Sequence, residues 1–428
     1  MRKAPPDGLW NDGQFLRFWA GEAISQVGAQ VTQLALPLTA VLVLHAGASQ
    51  VGLLNAASYA PFLVVTLLVG VWVDRVRRRP LMIAANVGRG VLVSLVPLLA
   101  VAGLLRIEFL YVVALLVGTL TVVFDIAYQS YLPTLVRRDQ LVEGNSKLQG
   151  TSSLAQIGGP GLAGLLVQVV SAPVALFVNA ASYLVSVATL VAVRRPEPTP
   201  VRPVRSVPLR RSLAEGISLI FRSPVLRACA LQSGLYNLCF LSLQTIFVLY
   251  ATRVLGLGPG AIGLILSVGA VGSLLGSLVA RPVKELVGLG PAIVSALVAC
   301  CATPVLIPLA PTGGPAGTVL IVVTFALMGA GATMANIHII SLRQAITPEE
   351  LLGRMNAGYR LVSWGTLPIG GLLGGVLADL VGLRPALYVT GVCFLSAVVV
   401  IVRSPVRGLT ELPPPPQTSP VGHLATNA

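Results

Sequence analysis

"GVWVDRVRRRP", Gly70 to Pro80, carries five charged side chains in the six residues 74–79, and the sequence on either side is almost free of charge. Over all 428 residues the charged types make up only 10 % and the mean hydropathy is +0.85, whereas a soluble domain is about a quarter charged. A charge cluster set between long apolar runs reads as a water-exposed turn between two membrane crossings. The chain is therefore expected to be an all-α membrane protein. A bilayer core about 30 Å thick demands apolar helices of about 20 residues, and the alternating pattern of barrel strands is a poor match.

Outward from that turn, apolar spans lie near 14–44, 50–73, 81–104, 109–132, 147–169 and 174–194, then 225–252, 261–281, 290–310, 316–340, 356–379 and 385–403. These make twelve transmembrane helices in two six-helix sets, separated by turn signals such as "HAGASQ", "LGLGPG" and "PTGGPAG". The long first and seventh spans are expected to include interfacial turns. The implied organisation is a cytoplasmic segment 1–12, a bundle 13–194, a linker 195–222, a second bundle 223–404 and a disordered cytoplasmic tail 405–428. The first apolar run is too long for a signal-peptide core, so the start is expected to stay attached. The ending "ELPPPPQTSPVGHLATNA" has too little apolar surface to fold. Within the linker, prolines and arginines keep 195–211 out of the bilayer. Leu213, Ile217, Ile220 and Phe221 share one helical face, so 212–222 reads either as a helix along the inner surface or as an extension of span seven.

With both termini in the cytoplasm, cytoplasmic segments hold 24 of the 29 Lys and Arg, the bias that orients multi-span proteins. The formal charge of +14 is thus a topology signal with some attraction to membrane lipid, and nucleic acid is not an expected partner. The string at 70–80 resembles the "GxLaDRxGRR" loop of the major facilitator superfamily at Gly70, Asp74, Arg75, Arg78 and Arg79, with Trp72 for the usual Leu and Arg77 for the usual Gly. "AQIGGPGLAG" at 155–164 resembles the glycine and proline pattern of that superfamily's antiporters through Gly159, Pro160 and Gly164, with Ala155 and Ala163 where glycine is usual. More narrowly, "LWNDGQFLRFWAGEAISQVGAQVTQLALPL" at 9–38, "YLPTLV" at 131–136 and "RQAITPEELLGRMNA" at 343–357 are similar to the drug-exporter group that includes macrolide pumps and the enterobactin exporter. An acid common in span one of that group is Ala29 here.

The resemblance implies the major facilitator fold, two parallel six-helix halves around a site near mid-membrane, with the loop acting as a cytoplasmic latch through Asp74, Arg75 and Arg78. A plain positive-inside anchor accounts for the arginines but not for the acid. Internal repetition agrees: a shift of 210 lays "DQLVEGNS" at 139–146 on "EELLGRMN" at 349–356, pairing spans five and eleven. At a shift of 206, Gly70–Arg75 finds Gly276–Arg281, with Ala280 in place of the acid.

Chemistry must come from the few polar groups within the membrane. Glu22, Gln26, Gln30 and Gln33 fall on one helix face and are expected to line a central cavity, although Glu22 also reads as a low-lying side chain with its carboxyl in water. Asp125 reads either as a coupling or cation-recognition site or as the structural partner of Arg89. A carboxyl that is protonated and deprotonated in turn lets a proton antiporter exchange protons for substrate. The superfamily's span-four arginine has no counterpart in 115–128, a role open to Arg89. Gln232, Asn237, Gln244, Asn336, His338 and Arg360, with Tyr236 and Phe240, offer further contacts. The amides serve equally well as helix bridges, and His338 as a packing residue or a switch near neutral pH.

Cys229, Cys239, Cys300, Cys301 and Cys393 show no metal-ligand spacing, and no nucleotide cradle, "HExxH" or nucleophile elbow occurs. The expectation is no enzyme and no cofactor. With the resemblance, the expected protein is a monomeric multi-pass transporter of the bacterial cell membrane that exports a bulky amphipathic small molecule against protons. Transport of a siderophore or lysophospholipid is the alternative, with a non-transporting membrane subunit or receptor further away.

Overall fold

The computed structural model describes residues 8–73, 76–195, 197, 209–312 and 314–413. The first half consists of α1 (Gly13–Leu42), α2 (Ala48–Val73), α3 (Arg78–Val101), α4 (Ile107–Leu135), α5 (Leu141–Val170) and α6 (Ala172–Ala192). After α7 (Leu209–Arg222) the second half follows with α8 (Pro224–Arg253), α9 (Pro259–Val287), α10 (Leu289–Ala302), α11 (Pro315–Ile346), α12 (Leu352–Trp364), α13 (Thr366–Val381) and α14 (Leu383–Val402). Among the described residues, ten segments are long and apolar enough to cross a membrane by length and composition. With α1 and α2, of 30 and 26 residues, they make the twelve crossings. Large aliphatic side chains in mid-helix such as Leu184, Leu278 and Val392 stand more than half exposed on the outside, as crossing helices do where they face lipid.

The elements end where local chemistry ends them. Asp12 caps α1 by accepting from Gln14 N at 2.9 Å. Ser223 caps α8 in the same way, with Pro224 at its first position. That cap separates α7 from α8, so 209–222 is a helix of its own and not an extension of span seven. It packs on α12 through buried Ile220 and the Glu215–Arg354 pair at 2.5 Å. Span one ends in a turn at 43–44 after the 30-residue α1, whereas span seven lies wholly within α8 and contains none.

Span eleven is broken at Gly365 into α12 and α13. Pro368 brings no N–H for the carbonyl of Trp364, and the neighbouring Ser363 carbonyl accepts instead from Asn237 Nδ2 at 2.8 Å and Thr366 Oγ1 at 2.9 Å. A second difference from the sequence reading lies at the end of the chain. Residues 405–413 are ordered: a short helical turn, Pro405–Gly408, leads to Leu409 and Thr410, whose carbonyls accept from Gly290 N and Leu289 N at the start of α10. The remainder of the expected tail, 414–428, lies outside the described residues.

The halves meet through α2 on α13 and α5 on α9. Lipid supplies no hydrophobic drive for helix association, so close packing of small residues must. A Cβ placed on Gly164 would stand 2.9 Å from Gly263 Cα, and one on Gly52 would stand 3.1 Å from Gly375 Cα. Glycine is what lets both crossings close. Short helical turns at Arg138–Gln140 and Glu349–Leu351 precede α5 and α12, so the two halves repeat in step within a residue of the shift read from the sequence.

Candidate functional site

Between the halves lies a cavity of about 820 Å³ lined by α1, α2, α4 and α5 on one side and α8, α9, α11 and α12 on the other. Most of its wall is apolar or aromatic, with Tyr59, Phe62, Tyr236, Phe240 and Trp364 among the lining. The rings meet in pairs: Tyr236 stacks on Phe240 at 5.9 Å, and Phe62 meets Trp364, across the halves, at 5.8 Å with the planes tilted by 51°. Gln30, Gln33, Asn55, Gln244 and Asp125 supply the polar points.

The glutamine row of α1 divides. Gln30 and Gln33 line the cavity, and Gln33 Nε2 lies 3.4 Å from the Tyr59 hydroxyl. Glu22 is buried, accepting from Gln26 Nε2 at 2.9 Å, and neither lines the cavity. Asp125 does line it and has no hydrogen-bond or ion-pair partner among the described residues. No salt bridge joins Asp125 to Arg89. The Arg89 guanidinium instead lies between the rings of Phe124 and Tyr183, at 4.3 and 4.6 Å, and donates to Asn86 and Thr121. Glu22, Arg89 and Asp125 still feel one another's charge, and Asp125 feels Arg360 from the other half.

In the second half, Asn336 and Arg360 line a recess off the cavity. His338 is buried and lines neither space, with its Nε2 unpartnered. Asn237 bridges helices, as described above. Gly159 abuts Gln30 and Pro160 lines the cavity, so the glycine and proline string forms part of the wall as well as the crossing.

All hydrogen bonds between the halves among the described residues lie from mid-membrane toward one end, that of loops 43–47 and 254–258. Asp379 accepts from Ala48 N at 3.1 Å and Ser49 N at 2.9 Å, capping α2 from α13, and Arg253 Nη2 donates to Ala46 O at 2.6 Å. Gly260 N donates to Gln168 Oε1 at 3.1 Å, Asn55 Nδ2 to Thr245 Oγ1 at 2.9 Å and Gly161 N to Ser267 Oγ at 2.8 Å. At the opposite end the polar contacts stay within each half. Arg79 donates to the carbonyls of Leu190 and Val191, and the backbone N–H groups of Arg78 and Arg79 donate to Glu197 at 2.6 and 3.2 Å. Gly70 lies in α2; Asp74 and Arg75 lie outside the described residues, so the latch expected there has no structural account beyond Arg78 and Arg79. Among the described residues, hydrogen bonds thus tie the halves toward loops 43–47, and none ties them at the other end.

Sequence reasoning passed over Asp379, Glu197 and Asn55. Asp379 and Glu197 carried a signal, as isolated acids at a span end and in a basic linker. Asp379 gives a prediction. Two charge-assisted bonds at a helix start are worth about 2 kcal/mol. Asp379→Ala is expected to shift the halves toward opening at this end by about 30-fold, read as faster modification of a cysteine placed at Gln244, in a cysteine-free background, by a membrane-impermeant thiol reagent.

A cavity between two repeated six-helix bundles is the arrangement of a membrane transporter. The Major Facilitator Superfamily model matches residues 18–359 and 235–426, and the chain belongs to that superfamily. It is 26 % identical over 390 residues to the multidrug efflux pump Tap of Mycolicibacterium fortuitum, covering 88 % of this chain and 92 % of the pump. It is 22 % identical over 392 residues to macrolide efflux protein A of Streptococcus pyogenes, covering 90 % and 95 %. Among solved structures, a bacterial homologue of the iron transporter ferroportin in an inward-facing state superimposes with a TM-score of 0.74 at 19 % identity, covering 91 % of this chain and 98 % of that one.

Proposed function

We propose that this protein exports a bulky amphipathic small molecule, a drug or secondary metabolite, across the bacterial cell membrane in exchange for protons. In this reading both termini are cytoplasmic, and the described arrangement is the one open to the cytoplasm. The observation that carries it is the 820 Å³ cavity: its aromatic wall suits a large apolar body, and Asp125, which lines it without a hydrogen-bond or ion-pair partner among the described residues, is free to exchange a proton for a ligand contact. The efflux relatives support the direction. Rocking of the halves at the glycine crossings supplies alternating access, and the loop at 70–79 clasps the cytoplasmic mouth when it closes.

The test is flux through purified protein in liposomes, with a panel of macrolides and phenicols, with and without an imposed pH gradient. Gradient-dependent movement is the expected result. Movement of a panel compound that ignores the gradient rejects proton coupling, and no movement of any member rejects the substrate class.

A further inference from the structure

A recess of about 470 Å³ opens off the central cavity between α8, α11 and α12, sharing Tyr236, Ala332 and Trp364 with it. Its wall contains Arg343 and Arg360 and no acidic residue. The Arg343 guanidinium lies 3.5 Å from the centre of the Tyr359 ring. That ring is fixed by its hydroxyl, which lies 3.0 Å from the Cys229 carbonyl and 2.6 Å from Ser233 Oγ. Arg343 Nη2 donates to Asn356 Oδ1 at 3.0 Å, its Nε is buried with no acceptor, and no carboxylate pairs with it among the described residues. Arg360 lies over Trp364 at 5.0 Å, and the acid whose charge reaches it, Asp125, belongs to the opposite wall.

A guanidinium stacked on a ring spends its face and keeps its in-plane N–H donors at the edge. Two such groups on one recess wall with no acid beside them give it a positive field that favours an opposite charge. We infer that the recess is an anion subsite, in which Arg343 and Arg360 hold a carboxylate, phosphate or sulfonate whose apolar body lies against Tyr236, Phe240 and Trp364. This rests on the reading of the central cavity as the seat of an amphiphile, and it narrows that amphiphile to an anion, or to a zwitterion whose cationic end meets Asp125. The same chemistry is offered by a transported compound and by the headgroup of an anionic lipid.

The experiment compares two fluorescent probes of nearly one shape, anionic 8-anilinonaphthalene-1-sulfonate and neutral N-phenyl-1-naphthylamine, on the full-length protein held in a neutral amphipol. The sulfonate is expected to bind about tenfold tighter, with the difference shrinking as salt rises. Arg343→Gln and Arg360→Gln are each expected to remove roughly that factor for the sulfonate alone, and Arg343→Lys to retain part of it. In lipid nanodiscs, sulfonate binding that is equal with phosphatidylcholine and phosphatidylglycerol assigns the subsite to a soluble amphiphile. Loss of binding with phosphatidylglycerol assigns it to a lipid headgroup, and either supports an anion site. Equal affinity of the two probes for the wild type, or an unchanged preference in both glutamine variants, overturns it. If Arg343→Gln does not fold, the wild-type comparison and Arg360→Gln still decide. Because binding is read without flux or gradient, failed export leaves the subsite standing, and active export with no sulfonate preference removes the subsite alone.

Discussion

Asp125→Asn is expected to cut proton-driven accumulation sharply while substrate still binds and exchanges across the membrane without a gradient. Asparagine keeps the size and polarity of the side chain and removes its charge and proton. Coupling between two ligands of one protein is commonly worth 1–3 kcal/mol, so gradient-driven accumulation should fall by about 5- to 150-fold. Asp125 is selected over Glu22 by geometry. It lines the cavity without a hydrogen-bond partner among the described residues, whereas Glu22 is buried and already accepts from Gln26. Glu22→Gln, which keeps that contact's size and polarity, is therefore expected to retain most coupled flux. Both variants are compared in the same liposomes, by uptake with an imposed pH gradient and by counterflow without one. Coupled transport that survives in Asp125→Asn and is lost in Glu22→Gln reverses the assignment.

Gly164→Val should produce the second large effect, through packing and not through charge. A side chain there meets Gly263 backbone atoms at 2.9 and 3.1 Å, and backbone cannot swing aside as a flexible side chain can. α5 and α9 would have to separate, at a cost of about 1–3 kcal/mol, along the seam on which the halves move. Transport is expected to fall at least tenfold (a factor that about 1.4 kcal/mol supplies) while the protein still inserts, with a thermal midpoint a few degrees lower. Gly158→Val, six residues earlier on the same helix with nothing within 4 Å of the added Cβ, should transport normally. Equal loss in both variants would show that helix propensity, not the crossing, is responsible.

Much of the architecture was legible in the sequence because the bilayer imposes a single strong rule, an apolar run of fixed length, on every crossing. The repeat was legible for a related reason: "DQLVEGNS" and "EELLGRMN" open equivalent helices, α5 and α12, each preceded by a short helical turn. The glycine string in α5 signalled a close contact, yet its partner Gly263 lies on another helix and leaves no local trace. The break at Gly365 left only Pro368 as a local sign, and Asn237, which donates to the Ser363 carbonyl there, is distant in sequence. Arg343 was counted among cytoplasmic topology charges, since a one-dimensional reading cannot tell an arginine at a span end that points to water from one that lines a recess. Glu22 and Asp125 looked alike on paper, and only the packing of α1 against α6 and α5 separates a covered carboxyl from an open one.

The central claim is that two bundles rock about the cavity, opening one mouth as the other shuts. Double electron–electron resonance measures this directly, with one pair of spin labels at Arg138 and Glu349, the equivalent turns before α5 and α12, and a second pair at Val43 and Leu380 near the closed end. On passing from the described state to the opposite one, by pH or by substrate, the first distance should shorten and the second lengthen together. Two distances that stay fixed under every condition in which substrate moves would contradict the account.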